Sequence, residues 1–222
     1  MLLYLAVATR LDMSFAVGQL CKFLSKPSPS VWKYTKRILR YLKGTLDFGL
    51  SFRKGQYGAK KHGDLVGYSD ADHAGCPTSR KSWSGAIWTF GGDVIGWRCR
   101  QQTTVALSSM EAELVALTAA AREGQHLCKA AKNFRVERPP VTIRADNQAA
   151  MASAKDFKVS QKSKHIATKH FYIRDLIEEG VYKLEYVPSR DNFADILTKP
   201  LKPTAFIRLR QALNIGPYGG GI

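Results

Sequence analysis

Residue 64 marks a change of apolar period that decides what the chain can fold into. Beyond it, Leu65-Val66-Gly67-Tyr68-Ser69-Asp70-Ala71-Asp72 reads as a strand that ends in acids. Ser82 to Phe90 and Val94 to Cys99 read as two further strands around Gly91-Gly92-Asp93, a hairpin signal. The period then lengthens to that of a helix over 109–133. A β-branched strand follows at 141–145, then helices over 148–154 and 165–179, the second stopped by Gly180. A strand at 181–187 and a short helix at 191–198, terminated by Pro200, complete the series. The order β-β-β-α-β-α-α-β-α predicts an α/β fold: a mixed five-stranded sheet flanked by helices.

Ahead of residue 64 the pattern is helical, over about 13–25 and 30–43, with Pro27 and Pro29 between. Val31, Trp32, Ile38, Leu39 and Leu42 supply the apolar face of the second helix; Ser30 is its expected cap and Gly44 its stop. Lys33, Lys36, Arg37, Arg40 and Lys43 make one basic stripe with no acid among them. A stripe of one sign suits a phosphate backbone; a solvated face usually mixes signs. The whole chain carries 34 Lys and Arg against 18 Asp and Glu, a net charge of +16. Residues 1–63 hold 12 of the bases and only two acids, Asp12 and Asp47. Such a charge points to nucleic acid as partner.

A membrane partner is not expected. The apolar run from Met1 to Ala8 ends at Arg10 and Asp12, far short of the roughly 20 residues that span a bilayer. The run also lacks the positive first segment of a secretion signal. Cys21, Cys76, Cys99 and Cys128 form no CxxC or Cys/His pairing, which argues against a zinc knuckle and suits a reduced intracellular compartment. The Gly/Lys-rich stretch 53–63 reads as a linker or exposed loop, and the glycine-rich tail from Gly216 to Gly221 as disordered.

Four acids sit at special positions. Asp70 follows an apolar strand, Glu113 lies one turn into the long helix, Asp146 ends the short strand, and Asp195 lies within Phe193-Ala194-Asp195-Ile196-Leu197. Each has apolar neighbours, where an unpaired carboxylate is costly to bury. Bound divalent cations supply a shared compensation, and carboxylates with retained waters suit octahedral Mg²⁺. Two nearby acids compete. Glu111 closes the capping box Ser108-Ser109-Met110-Glu111, expected to reach back to the Ser108 N–H, whereas Glu113 lies about 200° further round the helix, with Met110 and Leu117. Asp72 shares a strand face with Asp70, but Asp70 lies deeper toward the sheet centre.

These segments together resemble a known family. Tyr68-Ser69-Asp70-Ala71-Asp72, Ala106-Leu107-Ser108-Ser109-Met110-Glu111-Ala112-Glu113-Leu114, Ala145-Asp146-Asn147-Gln148, Ser163-Lys164-His165-Ile166, Tyr186-Val187-Pro188-Ser189-Arg190-Asp191 and Ala194-Asp195-Ile196-Leu197-Thr198-Lys199-Pro200 are similar to the ribonuclease H domain of copia-type retrotransposon Pol polyproteins. Residues 2–50 resemble the end of the neighbouring reverse transcriptase, without a Tyr-x-Asp-Asp polymerase signature, so the chain looks like a polyprotein fragment that should not polymerise DNA alone. The resemblance implies a ribonuclease H-like sheet and this division: a helical remnant at 1–50, a linker at 51–63, a ribonuclease H domain at 64–201, and a partly disordered extension at 202–222.

It also implies that Asp70, Glu113, Asp146 and Asp195 hold two Mg²⁺ (or Mn²⁺) ions and that the RNA strand of an RNA:DNA hybrid is hydrolysed, leaving 5′-phosphate and 3′-hydroxyl ends. Asn147 and Gln148 are the candidates for the minor-groove edge, with helix capping by Asn147 as the plainer role. The implied partners are the hybrid and the rest of the polyprotein, reverse transcriptase above all. The implied location is a cytoplasmic retrotransposon particle, with the nucleus as alternative. His73 stands where the family has Trp, and the loop 188–192 lacks the His that many ribonucleases H place before the last Asp; His165 and Arg190 are the candidate substitutes. Two other functions stay open: a transposase- or integrase-type nuclease on a related fold, and a catalytically inactive or co-opted nucleic-acid-binding fragment. The order Asp, Glu, Asp, Asp favours the ribonuclease over an integrase, whose Glu follows its second Asp.

Overall fold

The structure is a computed structural model that describes residues 1–52, 64–133, 140–155 and 164–218; the side chains of residues 131–133 and 164–170 lie outside the description. In chain order come α1 (Leu2–Ala8), a 3₁₀ turn (Leu11–Met13), α2 (Ser14–Cys21), α3 (Pro29–Lys43) and the short strand β1 (Phe48–Leu50). Then follow β2 (Leu65–Ala71), β3 (Trp83–Phe90), β4 (Asp93–Gln101), α4 (Ser109–Asn133), β5 (Val141–Ala145), α5 (Gln148–Lys155), α6 (Lys164–Glu178) and β6 (Tyr182–Tyr186). Two 3₁₀ turns (Ser189–Asp191 and Phe193–Leu197), α7 (Pro203–Ala212) and β7 (Ile215–Pro217) close the chain.

The main sheet has the order β4-β3-β2-β5-β6. β2, β3 and β4 form an antiparallel meander, and β5 and β6 add in parallel on the other side of β2. The connections dictate this mixture. Gly91 (φ 60) and Gly92 (φ 94) provide the two left-handed positions that a two-residue hairpin needs. The return from β4 to β5 runs through α4, the long crossover that parallel pairing demands. The mixed five-stranded α/β architecture is therefore the expected one.

Side chains alternate between two cores. On one face Ala86 and Trp88 of β3 and Ile143 of β5 pack against Leu114, Leu117, Ala120 and Ala121 of α4 and Ile173 of α6. Trp88 fits because Gly67 and Gly124 leave it room; a Cβ at either would lie within 2.6 Å of the indole. On the other face Tyr68 and Ile87 meet Ala194, Ile196 and Leu197 of the last 3₁₀ turn, with Leu209, Leu213 and Ile215 beyond.

Local chemistry departs from expectation at two helix starts. Ser28, not Ser30, caps α3, its Oγ accepting the Val31 N–H at 3.4 Å. Pro29 takes the first helical position, where its missing N–H costs nothing, so the cap falls one residue before it. At α4, Ser108 Oγ accepts the Glu111 N–H at 3.1 Å as expected, but Glu111 Oε2 reaches past Ser108 to the Leu107 N–H at 2.7 Å.

The packing runs across the divisions read from the sequence. Leu11 is fully buried in the same cluster as Ile87, Leu197, Leu213 and Ile215. Phe15 meets Trp83 edge-on at 5.6 Å, and Trp97 Nε1 donates to the Ala6 carbonyl at 2.9 Å. The tail expected to be disordered is strand as far as Pro217, because Ile215–Pro217 pairs antiparallel with Phe48–Leu50 in a separate two-stranded sheet. Most of the expected linker, 53–63, lies outside the described residues.

A buried ion pair knots these terminal pieces together. Arg10 grips both oxygens of Asp12, at 3.0 and 2.9 Å, and donates to the Thr45 carbonyl at 2.9 Å. Tyr41 donates to Asp12 at 2.6 Å, and Arg210 of α7 donates to Tyr41 at 3.2 Å. Arg10→Met would strand Asp12 in the interior, and breaking a buried pair in this way costs about 3–5 kcal/mol. A urea unfolding curve of the variant should show that loss, whereas Arg208→Met on the surface should shift the curve by well under 1 kcal/mol, as expected for an exposed pair.

Candidate metal centre

The parallel pairing of β2 with β5 sets Tyr68 beside Arg144. Two residues further along both strands, the same register brings Asp70 next to Asp146, past the carboxyl ends where open α/β sheets hold ligands. Glu113 comes from α4, which lies on one face of the sheet; the small side chains of Ala71, Ala112 and Ala116 let the helix approach closely. The carboxylates of Asp70, Glu113 and Asp146 offer oxygens within 4.8 Å of one another. Asp70 is 1% exposed and Glu113 is 7% exposed.

Asp195 arrives from the opposite face. It stands outside the trio and meets Asp70 both directly and through Lys199, whose Nζ lies 2.8 Å from Asp195 and 3.6 Å from Asp70. The segment carrying Asp195 and Lys199 lies directly on β3 at Gly85. A Cβ there would sit 2.8–2.9 Å from Thr198 Cγ2, the Ala194 carbonyl and Leu197 Cβ, so any side chain would push the segment off the sheet. Asn192 anchors it from below: its Nδ2 donates to the Ser69 carbonyl at 2.9 Å, and its Oδ1 accepts the Ala194 N–H at 3.2 Å. Thr198 Oγ1 donates to the Asp70 carboxylate.

Burial and mutual repulsion dominate the electrostatics. Burial, then the charges of Asp70 and Asp146, push the Glu113 carboxyl up to about 9. Burial, then Asp70, push Asp195 up to about 7 against the pull of Lys199. Asp70 is raised by burial, with Lys199 and Thr198 opposing. Burial works against the Lys199 charge, yet Asp70 and Asp195 hold it above the ordinary lysine value. Glu113 Oε2 is buried without a hydrogen-bond partner. A hard divalent cation would satisfy that oxygen and relieve the repulsion, so the donor set fits Mg²⁺ or Mn²⁺.

The other expected site residues separate into three groups. Asn147 and Gln148 line a cleft of ≈ 470 Å³ with Glu113, Asp146, Tyr186 and Ser189. Asn147 also caps α5, its Oδ1 accepting the Ala150 N–H at 2.9 Å. Arg190 is exposed, ion-paired to Asp191 at 3.3 Å, with its carbonyl held by Arg208. The His165 side chain lies outside the described residues. Lys33, Lys36, Arg37, Arg40 and Lys43 are all exposed on α3. Of Trp32, Ile38 and Leu42, expected to dock that helix, Ile38 and Leu42 pack, joined by Tyr41, while Trp32 is 58% exposed.

The two competing acids, Glu111 and Asp72, each accept a backbone N–H. Glu111 caps the helix, and Asp72 accepts the Trp83 N–H where β3 begins. Sequence reading missed Lys199, Thr198, Asn192 and Gly85. Lys199 stands four residues after Asp195, and Asn192 precedes an apolar turn as a cap does; these were the available signals.

A raised carboxyl favours the folded state while protonated. Glu113 therefore contributes stability below its unfolded value near 4.5 that is lost as pH rises toward about 9. In EDTA, the difference in Tm between wild type and Glu113→Gln should shift steadily in the variant's favour between pH 5 and 9. A difference that stays constant over that range would contradict the buried setting of Glu113.

The sheet order, the helical crossover and the acids at the strand ends define a ribonuclease H-like fold. No protein-family model matches the chain. It is 37% identical to the "Retrovirus-related Pol polyprotein from transposon RE1" of Arabidopsis thaliana, over 96% of this chain and 14% of that polyprotein. It is 48% identical to "Secreted RxLR effector protein 161" of Plasmopara viticola, over 55% of this chain and 82% of that protein. Among solved structures, RNase H1 of Halobacterium salinarum aligns over 61% of this chain and 95% of its own, with a TM-score of 0.44 and 19% identity. Over nearly the whole chain its homologues are retrovirus-related Pol polyproteins of transposons, in line with the resemblance of its motifs, and it spans only 14–16% of their length.

Proposed function

We propose that this chain is the ribonuclease H segment of a transposon Pol polyprotein and hydrolyses the RNA strand of RNA:DNA hybrids with divalent metal. The observation that carries the reading is the meeting of Asp70, Glu113 and Asp146 within 4.8 Å, the first two buried and Glu113 Oε2 without a partner, with Asp195 at their edge. Bound divalent cations would supply Lewis-acid stabilisation and an activated water. Asp70, Glu113 and Asp146 hold them; Asp195 closes the opposite side. Thr198 and Asn192 position the carboxylates they touch or carry.

The surroundings suit a nucleic-acid duplex. Since Asn147 Oδ1 is occupied by the helix cap, its Nδ2 donors remain for base edges or ribose 2′-hydroxyls in the wide minor groove of an A-like hybrid. Gln148 and half-exposed Tyr186 line the same cleft and add a donor and a stacking surface. The basic face of α3 supports phosphate contacts, since Lys33, Lys36, Arg40 and Lys43 line one shallow groove. Among the described residues no helix is long and apolar enough to cross a membrane.

The test is a labelled hybrid incubated with purified protein, with and without Mg²⁺. Cleavage of the RNA strand alone, abolished by EDTA, is expected. Asp146→Asn should remove cleavage and spare most binding, which rests on phosphate contacts. Glu113→Gln should be equally silent, while Glu111→Gln keeps an oxygen for the Leu107 N–H and should cut at close to the wild-type rate. Equal damage from the two glutamate variants would overturn the division between a capping Glu111 and a metal-holding Glu113.

A second measurement addresses the basic helix. Each phosphate contact contributes roughly 0.9 to the salt slope of log K on duplex DNA. Replacing Lys36, Arg37 and Arg40 with Gln should flatten the slope of hybrid binding by about two to three units between 50 and 200 mM salt. Turnover at saturating hybrid should survive, and an unchanged slope would remove α3 from the nucleic-acid surface.

A further inference from the structure

Lys199 is the basic group that meets the carboxylates of the candidate metal centre among the described residues. Its ammonium contacts Asp195 at 2.8 Å and Asp70 at 3.6 Å, and its side chain is 36% exposed while that of Asp70 is 1% exposed. Asp70 is thereby shared, as the partner of Lys199 and as a member of the trio that fits a metal. The geometry points to Lys199 as a tethered counter-cation: it holds the carboxylates together before metal arrives, and yields Asp70 to the metal as it binds. This rests on the metal-binding reading above and adds that Lys199 sets the affinity of the site.

Three observations support the role. First, a lysine ammonium is a compact charge with three donors on a flexible stem, suited to a place that a metal ion takes over. Second, the partial exposure of Lys199 gives it a way to turn its charge into water while its stem stays packed. Third, the contact is built rather than incidental. Asn192, Gly85 and Thr198 fix the short segment on the sheet, and the same segment delivers the Asp195 carboxylate, the Thr198 hydroxyl on Asp70 and the ammonium together. An arginine would keep the charge but lie flat and fork-shaped; a methionine keeps the length and loses the charge.

Lys199 is thus a positioning residue whose effect on the metal is competitive. Removing its charge leaves Asp70 and Asp195 without a cation, so the metal-free protein becomes less stable. The same removal leaves the metal nothing to displace, so binding becomes tighter.

The experiment is calorimetric titration of Mn²⁺ into the whole metal-free chain without nucleic acid, alongside Tm with and without saturating Mn²⁺. Lys199→Met should bind Mn²⁺ about tenfold more tightly than wild type. Its Tm should be lower in EDTA and return to the wild-type value at saturating Mn²⁺. Lys199→Gln should tighten binding in the same direction, and covers the case in which the methionine variant does not fold without metal. Lys199→Arg should stay near wild type. Unchanged or weaker binding in both neutral variants would overturn the inference while leaving the metal centre standing. Absence of Mn²⁺ binding by wild type would overturn both.

Discussion

Three carboxylates crowded at the end of a sheet, two of them buried, are the constraint on which this structure turns. Asp70, Glu113 and Asp146 lie within 4.8 Å, and burial with mutual charge drives Glu113 to about 9. Such a cluster is unfavourable for folding by itself. It persists because every element around it is held by interactions made elsewhere: strand register for Asp70 and Asp146, the capped and alanine-lined α4 for Glu113, and the Asn192 anchor for the segment bearing Asp195. The stability given up at the strand ends is the property that makes the centre receptive to a hard cation.

The geometry requires both faces of the sheet. α4 presents Glu113 from one side, and the 3₁₀ turn at Phe193–Leu197 presents Asp195 from the other, with Lys199 just beyond. The strand ends are where elements on opposite faces can reach a common point. Gly85 permits the second approach by lacking a side chain. The support extends to the first 50 residues, since Leu11 shares a core with Leu197 and the Arg10–Asp12–Tyr41–Arg210 chain ties α3 to α7. The N-terminal segment therefore packs with the ribonuclease H-like sheet as one body, and its basic helix is carried on the same frame.

Much of this was legible in the amino-acid order. The change from period two to period 3.6 placed the strands and helices of the main sheet, because periodic burial leaves a local mark in composition. The separation of Glu111 from Glu113 also followed from local geometry: residues two apart on a helix point in opposite directions, and one of them completes a cap. Smaller errors had local causes of their own. Pro29 moved the cap of α3 to Ser28, and the reach of the Glu111 side chain moved its acceptor contact to Leu107.

The sequence by itself determined the layer architecture, the four acids and the basic stripe, since each depends on the spacing of residue types along one element. Only the tertiary structure decided that Lys199 sits among the acids, that Gly85 is a contact surface, and that the glycine-bearing tail pairs with Phe48–Leu50. These are relations between residues as much as 169 positions apart, as with Gly49 and Tyr218 or Tyr41 and Arg210. Nothing in the local pattern of either partner records the other; the folded sheet brings them together.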